Sequence, residues 1–534
     1  MDLNNLPTLF ELGQAVVAVE TPITERFKIL GFIYKLACVR GLPLYFWNQG
    51  YSLLQQVNEL GQLVPTDNQC TSGLNWLLQH YDVPGIFVFE GVISLDAVTG
   101  IFPQQTLVTL SNLVYELTAN PVSRLLVCLE SYIELPPDLT PLIPLLVNPL
   151  PSALAKLTEG IAVKTFVRDF CNSQFELSDS SIHPFETLVR TCLGLPMGEL
   201  EMLLSRLSGF THTLEEVTDG VLNYKKGKLK GQGVEFLGEP DVVQAGGLDL
   251  LEEMLERAAV LLKPEAKQHN LSFPKGMILW GPPGTGKSLS AKLAATKMGV
   301  PMVAADWAGL RGATAYESRK NLREFLQFCD ANGEHGLVLY FDDFDKGFAG
   351  FDSDNDGGVS RQLAGKLLTW MQERTSQVLV MATVNRLEFL PPELVRRFDD
   401  IIFVDLPHAG ARYEIFKLHL AKYFPGLDFN EKDWLRLLRE TKLLTPAEIA
   451  LMVRKTAEDA FYRNTQEFST SELGEKPLTV TVRDFLLVRS HFIPSMIREE
   501  DKIVEIRNQA VYARPAASPD TSHWAKEPEV LFGS

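Results

Sequence analysis

The segment Gly281-Pro-Pro-Gly-Thr-Gly-Lys287-Ser288 constrains the fold of this chain more than any other feature. It fits the pattern G-x-x-x-x-G-K-[ST], whose glycines let successive backbone N–H groups turn toward phosphate oxygens. The apolar run Gly276–Trp280 precedes it, and an alanine- and lysine-containing helix is expected from Leu289. This placement between a strand and a helix predicts a phosphate-binding loop rather than an incidental glycine-rich turn. The expected nucleotide-binding residues are Gly281, Pro282, Pro283, Gly284, Thr285, Gly286, Lys287, Ser288 and Leu289.

A second apolar run, Leu337–Phe341, delivers two carboxylates at its C-terminal end, where ligands of open parallel sheets bind. Asp342 is expected to hold Mg²⁺ through water, with Ser288 as a direct ligand. Asp343 is expected to lie where a base would polarise an attacking water molecule. Acidic residues at strand ends also occur as plain turn formers, but the phosphate loop upstream favours the metal-binding role. The pattern therefore predicts ATP and Mg²⁺ as cofactors.

Three further residues lie where they would complete a catalytic site. Asn385 closes the fourth apolar run, and its amide is expected to orient water near the terminal phosphate. Arg396 and Arg397 follow Pro-Glu-Leu-Val and precede Phe398. A guanidinium at this place is expected to reach a neighbouring subunit's site and stabilise transition-state charge, the alternative being a surface salt bridge. The segment leaves open which arginine acts.

The second half of the chain alternates strand-like and helical patterns. Its apolar runs are Gly276–Trp280, Val300–Ala305, Leu337–Phe341, Val378–Thr383 and Ile401–Val404. Helical patterns such as 319–329 and 362–373 separate them. This alternation predicts a parallel sheet covered on both faces. Beyond Pro407 the pattern becomes helical, which predicts a separate helical lid.

The first half repeats this arrangement in a weaker form. Its apolar runs are Val16–Val19, Leu44–Trp47, Ile86–Phe89 and Leu125–Leu129. The fourth run is followed by Glu134-Leu-Pro-Pro-Asp-Leu139, and the second half has Phe389-Leu-Pro-Pro-Glu-Leu394 at the corresponding place. Such echoes in the same order indicate a duplication. After Val19 the chain reads Glu20-Thr-Pro-Ile-Thr-Glu25, without glycine or lysine, so one nucleotide site per chain is expected.

These patterns predict an α/β fold with two P-loop/RecA-like αβα domains, each followed by a small helical lid. The first domain is expected to be degenerate, without a phosphate loop. The expected segments are a degenerate αβα domain (1–150), its lid (151–222), a linker (223–245), the ATPase αβα domain (246–407), a second lid (408–500) and a C-terminal helix end with a disordered tail (501–534). The tail, Ala513–Ser534, is rich in Pro, Ser and Ala without periodicity.

Two segments invite ligand interpretations that other features oppose. The lysine-rich run Asn223–Lys230 contains the aromatic Tyr224 and could contact nucleic acid, whereas a solvated linker or strand edge is the plainer interpretation. The net charge of −17 repels phosphate backbones at long range, so nucleic acid is not the expected partner. The run Asp352–Gly357 begins like a calcium loop, but its twelfth position is Leu363 instead of glutamate, which predicts a flexible acidic loop.

Length and composition limit the expected number of domains and the expected cellular compartment. A chain of 534 residues is expected to fold into about two to four domains. Its six cysteines have no C-x-x-C spacing, which is typical of reduced thiols in a cytosol-like compartment. The N-terminus lacks a basic secretory region, and the most apolar stretch, Leu139–Leu157, is interrupted by prolines. A cytoplasmic protein without a membrane span is expected, or one in the plastid stroma if the chain is plastid-encoded.

With these motifs assembled, residues 235–500 resemble the AAA clade of ATPases, including Gly246-Gly-Leu-Asp249 where the family contacts adenine. More narrowly, residues 15–512 resemble the cyanobacterial and plastid AAA proteins known as a hypothetical chloroplast reading frame. The residues that carry this resemblance are Leu42–Tyr45, Leu135–Asp138, Pro274–Gly276, Gly284–Lys292, Leu368–Glu373, Leu390–Leu394 and Phe403–Pro407. The resemblance implies an ATP-driven homo-oligomer, commonly a hexameric ring, with a role in photosynthesis or inorganic-carbon use.

Three departures from the family pattern limit what the resemblance implies. The family's second acidic residue is glutamate, and here it is the shorter Asp343. The arginine segment is two residues shorter than the usual Arg-x-Gly-Arg-Phe-Asp. The loop Trp307–Gly312 has no clear equivalent of the substrate-gripping aromatic of unfoldase relatives. The sequence therefore predicts slow hydrolysis that remodels or regulates an unidentified protein partner, the alternative being a nucleotide-binding switch or scaffold with little hydrolysis.

Overall fold

The computed structural model describes residues 2–96, 101–119, 124–148, 150, 163–175, 182–209, 213–230, 233–238, 245–307, 309–348, 358–467 and 478–525. The chain divides into two compact units. Unit 1 comprises Met1–Lys228 and Leu310–Glu334, and unit 2 comprises Leu229–Gly309 and His335–Ser534. The acidic run Asp352–Gly357, for which the sequence predicts a flexible loop, lies outside the described residues.

Unit 1 contains a seven-stranded sheet with the order β4-β3-β2-β5-β6-β1-β7. Its strands are β1 (Val16–Glu20), β2 (Leu44–Trp47), β3 (Leu53–Val57), β4 (Leu63–Gln69), β5 (Gly85–Glu90), β6 (Arg124–Glu130) and β7 (Leu145–Val147). The strands from β2 to β7 in that order are parallel, and β3 and β4 add an antiparallel edge. The central strands are buried on both faces, because one cluster of apolar side chains packs on each side of the sheet.

Helices cover both faces of this sheet and form a separate apolar bundle after it. The helices of unit 1 are α1 (Leu6–Glu11), α2 (Arg26–Arg40), α3 (Gly73–Gln79), α4 (Gln104–Ala119), α5 (Val163–Gln174), α6 (Ile182–Cys192), α7 (Met197–Leu207) and α8 (Leu214–Lys230), together with α12 (Ala315–Asn332). Cys171, Leu188 and Val217 are central to the bundle of α5 to α8.

Unit 2 contains a second seven-stranded sheet with the order β14-β13-β9-β12-β11-β10-β8. Its strands are β8 (Val234–Gly238), β9 (Gly276–Trp280), β10 (Met302–Ala305), β11 (Leu337–Phe341), β12 (Val378–Val384), β13 (Asp400–Phe403) and β14 (Arg514–Pro515). All neighbours are parallel except β8, which pairs antiparallel with β10. The carboxyl ends of β9, β11 and β12 therefore meet at one edge of the sheet.

The helices of unit 2 flank this sheet and then form their own bundle. They are α9 (Asp249–Leu261), α10 (Pro264–Gln268), α11 (Lys287–Met298), α13 (Val359–Glu373), α14 (Pro392–Val395), α15 (Ala409–Tyr423), α16 (Glu431–Glu440), α17 (Pro446–Glu467), α18 (Val482–Ser490), α19 (Ser495–Arg498) and α20 (Glu500–Gln509). The bundle of α15 to α18 buries a cluster around Phe416, Trp434 and Phe485. Among the described residues, no helix is both long and apolar enough to cross a membrane.

The fold predicted from the sequence is confirmed: there are two αβα sheets, each followed by helices. The two sheets share one order of parallel strands, since β7-β1-β6-β5-β2 in unit 1 matches β13-β9-β12-β11-β10 in unit 2. In each half, the strands at corresponding positions of the sheet also follow one another in the same order along the chain. The extra hairpin of β3 and β4 is specific to the first half and was not predicted.

The sequence predicts one contiguous ATPase domain over 246–407, but the segment that contains α12 does not belong to the same unit as the rest of this range. Leu310–Glu334 lies between β10 and β11 in the chain, yet it belongs to unit 1. Ion pairs hold it there: Arg323 Nε lies 3.1 Å from Glu20 Oε1, and Arg319 Nε donates to Glu134 Oε2 at 2.9 Å. These partners are far apart in sequence, so the local pattern did not reveal them.

Two parts of the segment 223–245, which the sequence predicts to be a linker, form regular secondary structure instead. Residues up to Lys230 continue α8, and Val234–Gly238 form the edge strand β8. Lys225 is fully buried, and its ammonium donates to Thr191 O at 3.0 Å and Leu193 O at 2.8 Å. This lysine is therefore part of the packing of unit 1 instead of a solvated basic patch.

The disordered tail predicted for Ala513–Ser534 is wrong for residues 513–525. Arg514 and Pro515 form β14, and Ala516 is buried against the sheet of unit 2. The Ala516 N–H donates to Phe403 O at 3.0 Å, and Ala516 O accepts from Leu251 N–H at 3.1 Å. Backbone pairing, which composition does not register, holds this segment in place.

Candidate functional site

The phosphate loop connects the buried strand β9 to the N-terminus of α11, which begins at Lys287. Gly281 has a φ of 151°, and a Cβ at this position would lie 2.2 Å from Val404 O. Gly286 has a φ of 100°, and a Cβ there would meet open space. Glycine is therefore required at the first position by packing and at the second by backbone conformation. The space beside Gly286 at the N-terminus of α11 is open, where a bound phosphate would approach the backbone N–H groups.

Lys287 is the buried cation of this loop, with 7% of its surface exposed. Its ammonium donates to Gly281 O at 2.7 Å, to Pro282 O at 2.9 Å and to Asn385 Oδ1 at 3.1 Å. Burial lowers the pKa of Lys287 to about 8, against the opposing charge of nearby aspartates, Asp343 first among them. The lysine thus lies between the loop and the acidic ends of the neighbouring strands.

Asp342 follows β11 and has one of its two carboxylate oxygens fixed. Oδ1 accepts hydrogen bonds from Tyr340 OH at 2.7 Å, from Thr383 Oγ1 at 2.8 Å and from Asp343 N–H at 3.1 Å. Within the described residues, no donor is bonded to Oδ2. Ser288 is exposed at the start of α11. A hydroxyl and a carboxylate oxygen are hard donors, so this pair fits the preference of Mg²⁺ for oxygen ligands.

Asp343 has a left-handed backbone with a φ of 44°, which aspartate tolerates better than most residues. Its Oδ1 accepts from Asn385 Nδ2 at 2.7 Å, and its Oδ2 lies 2.5 Å from Lys346 Nζ. Asn385 therefore bridges Lys287 on one side and Asp343 on the other. The structure brings Ser288, Lys287 and the two aspartates to the same edge of the sheet as Asn385, as the sequence predicts.

Asp345 is a further carboxylate beside the candidate site that sequence reasoning missed. It is buried in the 3₁₀ helix Phe344–Phe348, and its two carboxylate oxygens accept from the backbone N–H groups of Asn385 and Arg386, each at 3.2 Å. Burial raises the pKa of Asp345. The signal available in the sequence was its spacing, because Asp345 follows the two aspartates at the end of β11 by only three and two positions.

Arg396 and Arg397 lie just after the short helix α14, and both are exposed. Within the described residues, neither guanidinium has an ion-pair partner, so the alternative of a surface salt bridge has no support there. Phe398, directly after them, is buried and anchors the segment against Gly276 of β9. Phe398 thus fixes the arginine segment beside the start of β9.

The segment at Gly246 packs against the helical bundle of unit 2. A Cβ at Gly246 would lie 2.9 Å from Ile415 Cγ1, and the Gly247 N–H donates to Glu414 Oε2 at 3.2 Å. The phosphate loop also contacts the bundle, since Gly284 O accepts from the Ala447 N–H at 3.2 Å. Both predicted nucleotide-binding segments therefore contact the lid helices α15 and α17.

The aromatic residue of the loop after β10 is unavailable for gripping a substrate. Trp307 is 2% exposed, and its ring stacks on Phe348 at 5.4 Å with edge contacts to Phe341 and Phe344. This aromatic cluster belongs to the core of unit 2 beside the acidic strand end.

Residues 277–406 match the model of the ATPase family associated with various cellular activities, AAA. The chain is 32% identical over 295 residues to the AAA domain-containing protein ycf46 of Trieres chinensis, covering 54% of this chain and 58% of that protein. The ycf46 protein of Pyropia yezoensis is 28% identical over 361 residues, which cover 66% of this chain and 70% of that one. The crystal structure of the FIGL-1 AAA domain in complex with ADP superposes with a TM-score of 0.45 at 18% identity, covering 55% of this chain and 97% of that one.

Proposed function

We propose that this chain, which carries an AAA domain over residues 277–406, binds Mg·ATP and hydrolyses it slowly to remodel or regulate a protein partner. The observation that carries the proposal is the hydrogen-bonded line from Lys287 through Asn385 to Asp343. It joins the phosphate loop to the carboxyl ends of β12 and β11, where open α/β sheets bind their ligands. The arrangement supports phosphate binding and water activation at one place.

Each side chain has a distinct part in the proposed reaction. Lys287 exchanges its carbonyl partners in the loop for phosphate oxygens, whose charge it neutralises. Asn385 orients the attacking water with its amide, and Asp343 accepts the proton of that water. Ser288 and Asp342 would hold Mg²⁺, which neutralises charge on the phosphate oxygens. Arg396 or Arg397 would act on the nucleotide of a neighbouring subunit in a ring of identical chains.

Slow turnover is expected because the side chain of Asp343 is short and both of its carboxylate oxygens have partners. Its side chain is one methylene shorter than glutamate, and a displacement of about 1 Å at a reacting centre can cost on the order of a hundredfold in rate. Both of its oxygens already have partners, Asn385 and Lys346. The Lys346 ammonium is mostly exposed, so this ion pair is weak and can open when water enters.

The same observation favours a second candidate, a nucleotide-binding switch that scarcely hydrolyses ATP. If the pairing of Asp343 with Lys346 persists in the ATP state, no base is free to accept a proton. ATP binding and release would then change the state of the lid helices without turnover. The two candidates differ only in the fate of bound ATP, so the rate of phosphate release separates them.

A steady-state phosphate-release assay on the full chain tests the proposal. We expect wild type to release phosphate above the level of Lys287→Ala, while Lys292→Ala, an exposed lysine on the same helix, stays at the wild-type rate. If wild type does not exceed Lys287→Ala although Asp343→Glu does, the switch is the correct function. Absence of ATP binding by wild type in equilibrium dialysis would refute both candidates.

The proposed protein partner is tested by capture in the ATP-bound state. Asp343→Asn keeps the side-chain volume but cannot accept the proton, so it should retain ATP and any bound partner. Proteins that Asp343→Asn recovers and Lys287→Ala does not are the expected result. Equal recovery by the two variants would contradict the remodelling function, while the ATPase assay would remain unaffected. A role in photosynthesis or inorganic-carbon use, which the resemblance implies, depends on the identity of that partner.

A further inference from the structure

Tyr340 is the one polar side chain in the apolar run of β11. Its ring belongs to the core cluster of unit 2, and the residue is 5% exposed. The hydroxyl nevertheless reaches the end of the strand, where it donates to Asp342 Oδ1 at 2.7 Å. A phenylalanine would fill the same space, so the hydroxyl has a purpose other than packing.

The Tyr340 hydroxyl has two oxygen neighbours at the end of the strand. It donates to Asp342 Oδ1 at 2.7 Å and lies 3.3 Å from Thr383 Oγ1. Thr383 Oγ1 donates to the same oxygen of Asp342 at 2.8 Å. Two hydroxyl groups from the neighbouring strands β11 and β12 therefore hold Asp342 Oδ1.

This arrangement suits a carboxylate that holds a cation. Tyr340 and Thr383 fix Oδ1 of Asp342, and within the described residues Oδ2 has no donor and remains for a water of the cation. Partners behind metal ligands typically change metal affinity by about 10- to 100-fold.

We propose that Tyr340 is a positioning residue of the Mg²⁺ site, orienting Asp342 toward the cation through its hydrogen bond to Oδ1. The proposal rests on the proposed Mg·ATP site and adds a residue to it. Tyr340 touches neither the nucleotide nor the cation. Removing the Tyr340 hydroxyl should weaken the binding of the metal alone, while the phosphate loop and Lys287 continue to bind the nucleotide.

Binding measurements on the full chain test this role without relying on turnover. Free Mn²⁺ is counted by electron paramagnetic resonance in the presence of a non-hydrolysable ATP analogue, and binding of that analogue is measured separately in EDTA. We expect Tyr340→Phe to raise the Mn²⁺ dissociation constant about tenfold. Its affinity for the analogue in EDTA should stay within about twofold of wild type, because no group that contacts the analogue has changed.

Tyr132→Phe is the matched control. Tyr132 is also buried, and its hydroxyl donates to a carboxylate two residues further on, Glu134, at 3.4 Å. It belongs to unit 1, so neither measurement should change. If Tyr340→Phe leaves the Mn²⁺ affinity at the wild-type value, the proposal is wrong while the Mg·ATP site stands. If it weakens the analogue equally in EDTA, Tyr340 is merely structural. If wild type binds no analogue with or without metal, the proposed function fails and Tyr340 has no site to position.

Discussion

At the scale of single residues, Asp343 limits the proposed reaction by its length. Replacing it with glutamate extends the carboxylate by one methylene toward the open side of the site. We expect Asp343→Glu to raise kcat about tenfold, because a gain near 1 Å in reach recovers part of the positional loss. The left-handed backbone at this position limits the gain, since glutamate adopts it less readily than aspartate. Phosphate release at saturating ATP measures the change, and a rate equal to or below wild type would contradict it.

Asn385 is the residue that joins the two halves of the site. Asn385→Ala removes the amide that bonds both Lys287 and Asp343. We expect kcat to fall roughly a hundredfold, the usual effect of deleting one preorganised polar group in an active site. The dissociation constant for ATP should change far less, because Lys287 keeps its place in the loop. A parallel loss of ATP affinity and kcat in Asn385→Ala would show a structural defect instead.

At the scale of elements, the C-terminal segment of 513–525 stabilises unit 2. Besides β14, Ser518 N–H donates to Asp249 Oδ1 at 2.9 Å, and Trp524 lies 5.1 Å from the Tyr413 ring. Ending the chain at Tyr512 removes these contacts, which we expect to lower the free energy of unfolding by on the order of 3 kcal/mol. Thermal melting of the two lengths measures the loss. A chain that ends at residue 525 keeps all of these contacts and serves as the control; equal melting of all three lengths would refute the prediction.

The Lys225 side chain of α8 hydrogen-bonds the end of α6 and the end of α12. The groups facing its ammonium are the carbonyls of Thr191 and Leu193, the Asn332 amide oxygen, the Phe328 ring and the buried Cys192 thiol, whose pKa burial raises to about 12. Burial lowers the pKa of Lys225 from 10.5 to about 7. Between these two values the unfolded chain binds more protons than the folded one, so the stability of unit 1 should rise with pH.

Lys225→Met is expected to remove this rise. The slope from one such group is at most about 1.4 kcal/mol per pH unit, and it should be absent below pH 7, where both states are protonated. Urea midpoints of wild type and variant at several pH values between 7 and 10 give the difference. Lys226→Met changes the exposed neighbour and should leave the slope intact. A stability difference between wild type and Lys225→Met that stays constant across this range would contradict the shifted pKa.

The elements of unit 2 show which features local sequence predicts. β9 and β11 begin and end where the apolar runs place them, because a buried parallel strand needs a continuous apolar run and the flanking residues end it. The phosphate loop, Asp342 and Asn385 follow from their strands, so their meeting at one edge is a consequence of topology. β14 could not be predicted in this way, since two residues without apolar character pair with β13 only through their backbones.

Contacts between distant residues account for the remaining differences. The burial of Lys225 depends on carbonyls more than 30 positions away, at the end of another helix. The partner of Arg323 is Glu20, the residue at which the first copy departs from a phosphate loop. Nothing in the helical pattern of α12 distinguishes these charged residues from a solvated face. Local propensity therefore predicts that these helices form, whereas contacts between residues far apart in sequence determine which unit each helix packs into.

At the scale of the whole molecule, the proposed function requires a second chain to complete each nucleotide site. The guanidinium groups of Arg396 and Arg397 have no ion-pair partner among the described residues, and in the proposed function one of them acts on a neighbour's nucleotide. We expect the alanine variant of the active arginine to lose about a thousandfold in kcat, as arginine fingers typically contribute. The variant should still bind ATP, because its own phosphate loop is intact. Testing Arg396→Ala and Arg397→Ala separately identifies which guanidinium acts.

Mixing two inactive variants shows whether the arginine acts between chains. Lys287→Ala cannot bind ATP well but presents its arginines, whereas the arginine variant binds ATP and presents none. If the finger acts in trans, rings that contain both chains place an intact arginine against an intact phosphate loop, and phosphate release should return when the two are mixed. Recovery should peak near equal proportions and disappear on dilution below the assembly concentration. Two variants that remain inactive in every proportion, although sedimentation shows that they co-assemble, would place the arginine's action within its own chain.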